Sequence, residues 1–255
     1  MPLVIEEFIT RSDNYAVLVH DPASGATVSI DAPEAAPIAA KLREKGWRLT
    51  DILVTHKHMD HVEGIGPLKQ AFGCKVTGPA KSAREIPYLD TAVSEGDLIA
   101  IGGQSYEVWE TPGHCADHIC LLLAEEKIAF VGDTLFAIGC GRVLDSTIEA
   151  LHRSLRRLEA LPDETSIYCG HEYTLANARF ALTVDPKNAA LIARAAEIEL
   201  LRAEGRMTLP TTIGLEKATN PYFRIGTEGV QNALNMVGAA PVAITEEIRE
   251  RKNRF

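Results

Sequence analysis

The sequence predicts an α/β fold: a mixed α/β domain followed by a small all-α domain. Three observations predict it. Short apolar segments bounded by turn residues alternate with helical segments in the first part of the 255-residue chain. Several of the strand-like segments end on a side chain able to bind a metal. After Tyr173 every periodic segment is helical and no strand pattern is visible. The expected domains are therefore residues 1–172 and residues 173–255.

Taken in order, "VIEEFIT", "NYAVLVHD" and "ATVSIDA" read as strands separated by Pro22, Ser24 and Gly25. "PEAAPIAAKLREKGW" has helical periodicity, with Pro33 near its start and Gly46 at its stop. "DILVTH" is a short buried strand, "GIGPLKQAFG" a short helix and "CKVTGP" a further strand. "DLIAIGG", "QSYEVWETPGH", "HICLLLAEE" and "KIAFVGDTLF" are strands again. "STIEALHRSLRRLEALP" is a helix, with Ser146 as its expected cap and Glu149 three residues on. "SIYCGHEYT" is the last expected strand with its exit loop. "LANARFALTVD", "PKNAALIARAAEIELLRAEGR", "EGVQNALNMVG" and "ITEEIRERKNRF" are helices.

Composition narrows the classes of function. With 46% hydrophobic and 24% charged residues, a chain of this length buries a core without staples, so a metal site points to catalysis more than to structure. The net charge of -9 and pI near 5.4 argue against a nucleic-acid partner, which needs a basic footprint. Cys74, Cys115, Cys120, Cys140 and Cys169 are odd in number and form no C-x-x-C pair, which fits reduced thiols in the cytoplasm. "MPLVIEEFITRSDNY" interrupts with two Glu the apolar core a secretory signal needs, and no apolar run reaches the ~20 residues of a membrane span. The expected setting is a cytoplasmic monomer with no membrane partner.

The chemistry is densest in "LVTHKHMDHVEG". His56 and His58 leave an apolar strand two positions apart, so both can face one metal. Asp60 and His61 follow where the chain turns and can face another. "ETPGHCADH" adds His114, "FVGDTLF" adds Asp133 and "YCGHEY" adds His171, each near the end of a strand, where α/β proteins tend to place sites. The counts balance for two ions. His56, His58 and His114 make one ligand set and Asp60, His61 and His171 the other. Asp133 bridges, since a carboxylate has two oxygens with several lone pairs. His20, His118 and His152 lack such a setting; His152 lies mid-helix among Leu151, Leu155 and Leu158, and His118 is a candidate for supporting a ligand. The cysteines beside these segments read as buried inert thiols.

The motif T-H-x-H-x-D-H at Thr55–His61, followed by His114, Asp133 and His171, resembles the binuclear pattern of the metallo-β-lactamase superfamily. That resemblance implies an αββα sandwich over the first domain. Asp133 stands where antibiotic-hydrolysing members carry Cys, and His58 where flavin-dependent diiron members carry Glu. "GDTLFAIGCGR", "GHEYTLANARFA", "RAEGRMTLPTTIGLEKATNP" and the ending "IRERKNRF" resemble glyoxalase II, the hydroxyacylglutathione hydrolases. The resemblance implies a metal-dependent thioesterase that hydrolyses S-(2-hydroxyacyl)glutathione, such as S-D-lactoylglutathione, to glutathione and a 2-hydroxy acid in methylglyoxal detoxification. It implies two divalent ions, zinc first and iron or manganese as alternatives. It makes Asp133 and Asp60 catalytic and places glutathione on Arg142, Tyr173, Arg249 and Lys252. Leu144 stands where the family often has an aromatic, Asn253 where it commonly has Asp, and "NPYFR" replaces Asn-Pro-Phe-Leu-Arg. The alternative is a persulfide-dioxygenase-like oxidoreductase of the same fold.

Overall fold

The computed structural model describes residues 2–255, which form two compact units. The first comprises residues 2–110 and 117–132 and the second residues 111–116 and 133–255. By packing, the second unit takes in the loop of His114 and everything from Asp133 onward. Ile138, in the segment just after Asp133, shares one core with the helices after Tyr173, as described below.

In the first unit, β1 (Val4–Thr10), β2 (Asn14–His20) and β3 (Thr27–Ile30) form an antiparallel meander. Helix α1 (Ala35–Lys45) carries the chain across to β4 (Asp51–Leu53), parallel to β3. Gly46 ends that helix in the left-handed conformation, φ 68°, as its place in the sequence predicts. The short α2 (Met59–Val62) and α3 (Ile65–Phe72) lead to β5 (Lys75–Pro79) and then, through a 3-10 turn, to β6 (Thr91–Val93). These are parallel too, so the sheet runs β1 to β6 in chain order. Leu18, Ile52, Val54 and Val76 pack with Ile38 and Leu42 of α1 and Ile65 and Leu68 of α3, the helix-covered face. Val17, Val19, Val28, Ile30 and Leu53, on the opposite face by alternation, are just as buried.

The second sheet of this unit is an antiparallel meander of β7 (Leu98–Ile101), β8 (Gln104–Glu110), β9 (Ile119–Leu123) and β10 (Ile128–Gly132). Its β7–β8 turn meets the β2–β3 turn, where Gly103 N–H donates to Asp21 at 3.3 Å. β9 is buried along its length, as "ICLLL" requires.

The second unit holds the hairpin β11 (Leu135–Phe136) and β12 (Gly139–Cys140), helix α4 (Ile148–Glu159) and β13 (Ser166–Cys169). It continues with α5 (Thr174–Val184), α6 (Ala189–Ala203), β14 (Thr211–Thr212), α7 (Ile213–Thr219), α8 (Glu228–Leu234) and α9 (Pro241–Arg254). Two expectations are corrected. Thr147, not Ser146, caps α4: its hydroxyl accepts from the Ala150 N–H at 3.2 Å. A strand does occur after Tyr173: β14 pairs antiparallel with β13, but two residues are too few to show periodicity. Ile138 packs with Ala178 and Ala181 of α5 and Leu191 and Ile198 of α6.

The signature words of the C-terminal half act on the β11–β12 hairpin. Ile138 has φ 57°, a strained conformation for a β-branched residue. The fully buried Glu216 accepts its N–H at 2.7 Å and is itself held by Arg194 and Thr211 at 2.8 and 2.6 Å. Asn220 donates to the carbonyls of Phe136 and Gly139. "TTIGLEKATNP" thus fixes "LFAIGC", the loop between Asp133 and Arg142.

Candidate metal centre

The expected ligands divide between the two units. In the first, β3 and β4 run parallel and deliver Asp31 and the His56–His61 loop to the same sheet edge. The four-residue α2 turns the chain after His58, so Asp60 and His61 start in a new direction. His56 and His61 are buried, and their ring centroids lie 4.1 Å apart; His56 and His58 lie 4.6 Å apart. Asp60 Oδ2 is 3.7 Å from His61 Nε2 and accepts from Asn14 Nδ2 at 3.1 Å.

Asp31 orders this half, and the sequence reading did not single it out. Its Oδ1 accepts from the Thr55 N–H at 2.7 Å. Its Oδ2 accepts from the Thr55 hydroxyl at 2.8 Å and faces His61 Nδ1 at 2.8 Å. The Thr55 hydroxyl, donating to Asp31, accepts from His56 Nδ1 at 3.0 Å. Both rings are thereby set to present Nε2, the arrangement by which a carboxylate or hydroxyl orients a metal-binding histidine. Asp31, His56 and His61 offer ligand atoms within 4.8 Å of one another, yet both Asp31 oxygens are already accepting, which makes it a support for the ligands. The available signal was its position: Asp31 also follows an apolar strand, in "ATVSIDA".

In the second unit, Asp133 lies between two histidines. Its Oδ2 is 3.5 Å from His114 Nε2 and 3.4 Å from His171 Nε2. His114 turns Nδ1 to the Arg142 carbonyl at 2.8 Å, which sets Nε2 toward Asp133. All three side chains are buried. Those separations are long for hydrogen bonds and suit three donors grouped around shared cations. Gly141 makes the approach possible, since a Cβ there would stand 2.0 Å from the Asp133 carbonyl oxygen.

The four residues expected to hold glutathione are all in this unit. Tyr173 stacks on His171, centroids 4.7 Å apart and planes 4° apart, and remains 37% exposed. Arg142 is exposed. Arg249 is buried, donating Nη1 to the Cys140 carbonyl at 2.8 Å and Nε to Asn253 at 3.1 Å. Lys252 donates to the Ala176 carbonyl at 2.9 Å, with its ammonium 5.3 Å from the rings of Phe180 and Phe255. Burial first, then the neighbouring Arg249 and Arg142, pull the Lys252 pKa down to about 8. Three cations therefore share a field, and no carboxylate among the described residues pairs with Arg249: Asn253 is neutral. Glu172 was also missed. Its buried carboxylate accepts from Thr208 N–H and hydroxyl, which pins the segment between His171 and Tyr173.

The remaining three histidines have these neighbours. His152 bonds Thr245 at 2.9 Å and has its pKa lowered by burial, His20 stacks on Trp47, and His118 stacks on His56. All five cysteines are buried and unbridged.

The metallo-β-lactamase superfamily model matches residues 8–171, and the model described as hydroxyacylglutathione hydrolase C-terminus matches residues 172–255. A hydroxyacylglutathione hydrolase of Methylobacterium nodulans is 52% identical over 98% of this chain and 99% of its own. One of Rhizobium meliloti is 52% identical over 99% of each. Among solved structures, ETHE1 from Myxococcus xanthus superposes with TM-score 0.67 at 27% identity, covering 98% of both chains. A protein solved in a di-iron-bound form superposes with TM-score 0.60 at 26% identity, covering 87% of this chain and all of its own. No helix among the described residues is long and apolar enough to cross a membrane.

Proposed function

The chain belongs to the hydroxyacylglutathione hydrolase family of the metallo-β-lactamase superfamily, and from that premise we propose how its own residues serve thioester hydrolysis. It is a metal-dependent thioesterase acting on hydroxyacylglutathione, with S-D-lactoylglutathione as the proposed substrate and D-lactate as the acid released. Two divalent ions fit the donor set. We assign His56, His58 and His114 to one, Asp60, His61 and His171 to the other, and Asp133 to both. The observation that carries this reading is the placement of Asp133 oxygen at 3.5 and 3.4 Å from His114 and His171. Nitrogen and oxygen donors suit zinc, the proposed metal, and also iron or manganese; the di-iron relative supports iron as the alternative.

Divalent ions bound there lower the pKa of a coordinated water toward ~7 and polarise a carbonyl oxygen. The protein residues do the rest. Asp31 and the Arg142 carbonyl hold three of the rings so that Nε2 faces the metals. Asp133 and Asp60 orient the attacking water. Arg142, Arg249, Lys252 and Tyr173 receive the glutathione carboxylates, for which cations and a phenol are suited. The leaving thiolate has an ordinary thiol pKa near ~8.5, so no strong general acid is needed. The reading assigns a cytoplasmic monomer.

The test is metal analysis of the purified protein together with hydrolysis of a panel of acylglutathiones. Activity with lactoylglutathione, near two metal equivalents and loss of both in His58→Ala are expected. Wild-type turnover in that variant would overturn the ligand assignment. Oxygen consumption with glutathione persulfide in place of thioester hydrolysis would support an oxidoreductase instead.

A further inference from the structure

Three consecutive pairs join Asp117–Ile119 to Thr55–Lys57, the two segments running in opposite directions. The Ile119 N–H donates to the Thr55 carbonyl at 2.9 Å. The His118 ring stacks on His56, centroids 4.9 Å and planes 25° apart. Asp117 Oδ2 accepts from the Lys57 N–H at 3.2 Å. Gly132, φ 45°, admits this packing at the end of β10: a Cβ there would stand 2.7 Å from both His118 Nε2 and Thr55 Oγ1.

Asp117 is the costly member of this set. It is 4% exposed, and its working oxygen also accepts from the Ser82 hydroxyl at 2.6 Å. Its other oxygen is buried with no hydrogen-bond partner among the described residues, and Lys57, the nearest cation in sequence to this contact, pairs its ammonium with Glu85. Burying a carboxylate so poorly compensated disfavours the folded state, so the acceptor at this place needs a reason beyond packing. Lys57 supplies one. Its amide is in the link between His56 and His58, and whatever anchors it sets how the two rings diverge.

We propose that Asp117 is a positioning residue for the candidate metal centre, holding the Lys57 amide so that His56 and His58 present their nitrogens to one ion. This rests on the metal assignment above. Supporting groups of this kind change metal affinity or activity by about 10–100-fold when removed.

The test uses full-length protein loaded with zinc or with cobalt(II). It measures zinc retention against a chelator, the visible absorption of the cobalt form, and kcat and KM for lactoylglutathione. Asp117→Leu, close in shape, and Asp117→Ala both remove the acceptor. Each is expected to release zinc about 10–100-fold more readily, shift the cobalt bands and lower kcat with KM little changed. Asp117→Asn keeps one acceptor oxygen and is expected to stay near wild type in all three. If Asp117→Ala does not fold, the Leu and Asn variants decide. Wild-type zinc retention and cobalt spectrum in Asp117→Leu would overturn the proposal, and so would Asp117→Asn falling as far as Asp117→Leu. If the wild-type protein holds no zinc, or His58→Ala holds it unchanged, the metal assignment itself fails, which is a distinguishable result.

Discussion

His61 points Nδ1 at Asp31 Oδ2 across 2.8 Å, and the same oxygen takes the hydroxyl of Thr55, whose oxygen in turn faces His56 Nδ1. One carboxylate thus orients a proposed ligand of each metal. Asp31→Asn tests this without disturbing the backbone, because Asn tolerates the left-handed conformation found there, φ 56°. Asn has one acceptor oxygen where three donors converge on two. Metal retention against a chelator is expected to fall about 10–100-fold for both equivalents. Asp31→Ala adds backbone strain of about 1–2 kcal/mol and should also lower Tm.

With Lys252 in its proposed place on the glutathione carboxylate, substrate affinity depends on pH. Its pKa is depressed to about 8, so the ammonium is charged below that value and loses its charge as pH rises through it. KM for lactoylglutathione is expected to be flat near pH 7 and to rise above pH 8. Lys252→Arg, charged throughout the range, should flatten the rise. Lys252→Met should raise KM at every pH with a smaller change in kcat. Steady-state kinetics from pH 6.5 to ~9.5 decide it.

Glu216 ties the helical segments to the hairpin that follows Asp133. Its side chain is fully buried and pairs with Arg194 at 2.8 Å, whose own side chain is 11% exposed. Removing one member of such a pair leaves the other buried and unpaired, so Glu216→Ala should cost about 3–5 kcal/mol in chemical denaturation. The strained Ile138 also loses its acceptor, so the β11–β12 loop should exchange amide protons faster than the rest of the second unit.

Thr147 caps α4 through its hydroxyl. Thr147→Ala is expected to lower stability by about 1 kcal/mol. Ser146→Ala should leave the denaturation midpoint unchanged, which separates the observed cap from the one its neighbour suggests.

The proposed ligand types and their order along the chain were legible in the residues themselves. His56, His58, Asp60, His61, His114, Asp133 and His171 each follow a strand-like run, and strand periodicity is a local property. The helical start and stop signals of α1, the strands of the second sheet and the helices after Tyr173 are local as well. Tyr173, Arg249 and Lys252 came from words shared with a family, because cations near a helix end also have a simpler reading in the helix dipole.

Tertiary structure decided the rest. Asp117, Glu172 and Glu216 look like any acidic residues in sequence, and Asp31 is marked only by its place after an apolar strand, yet all four meet partners from 24 to 78 positions away. Their roles depend on which oxygen faces which donor, and no periodicity encodes that. The same holds for Arg249, which reads as an exposed helix-end cation and is buried against the Cys140 carbonyl. By itself the sequence determined which atoms were available for metal chemistry and in what order. Only the fold decided which of them were aimed and held, since orientation is set by long-range hydrogen bonds and burial rather than by neighbours in the chain.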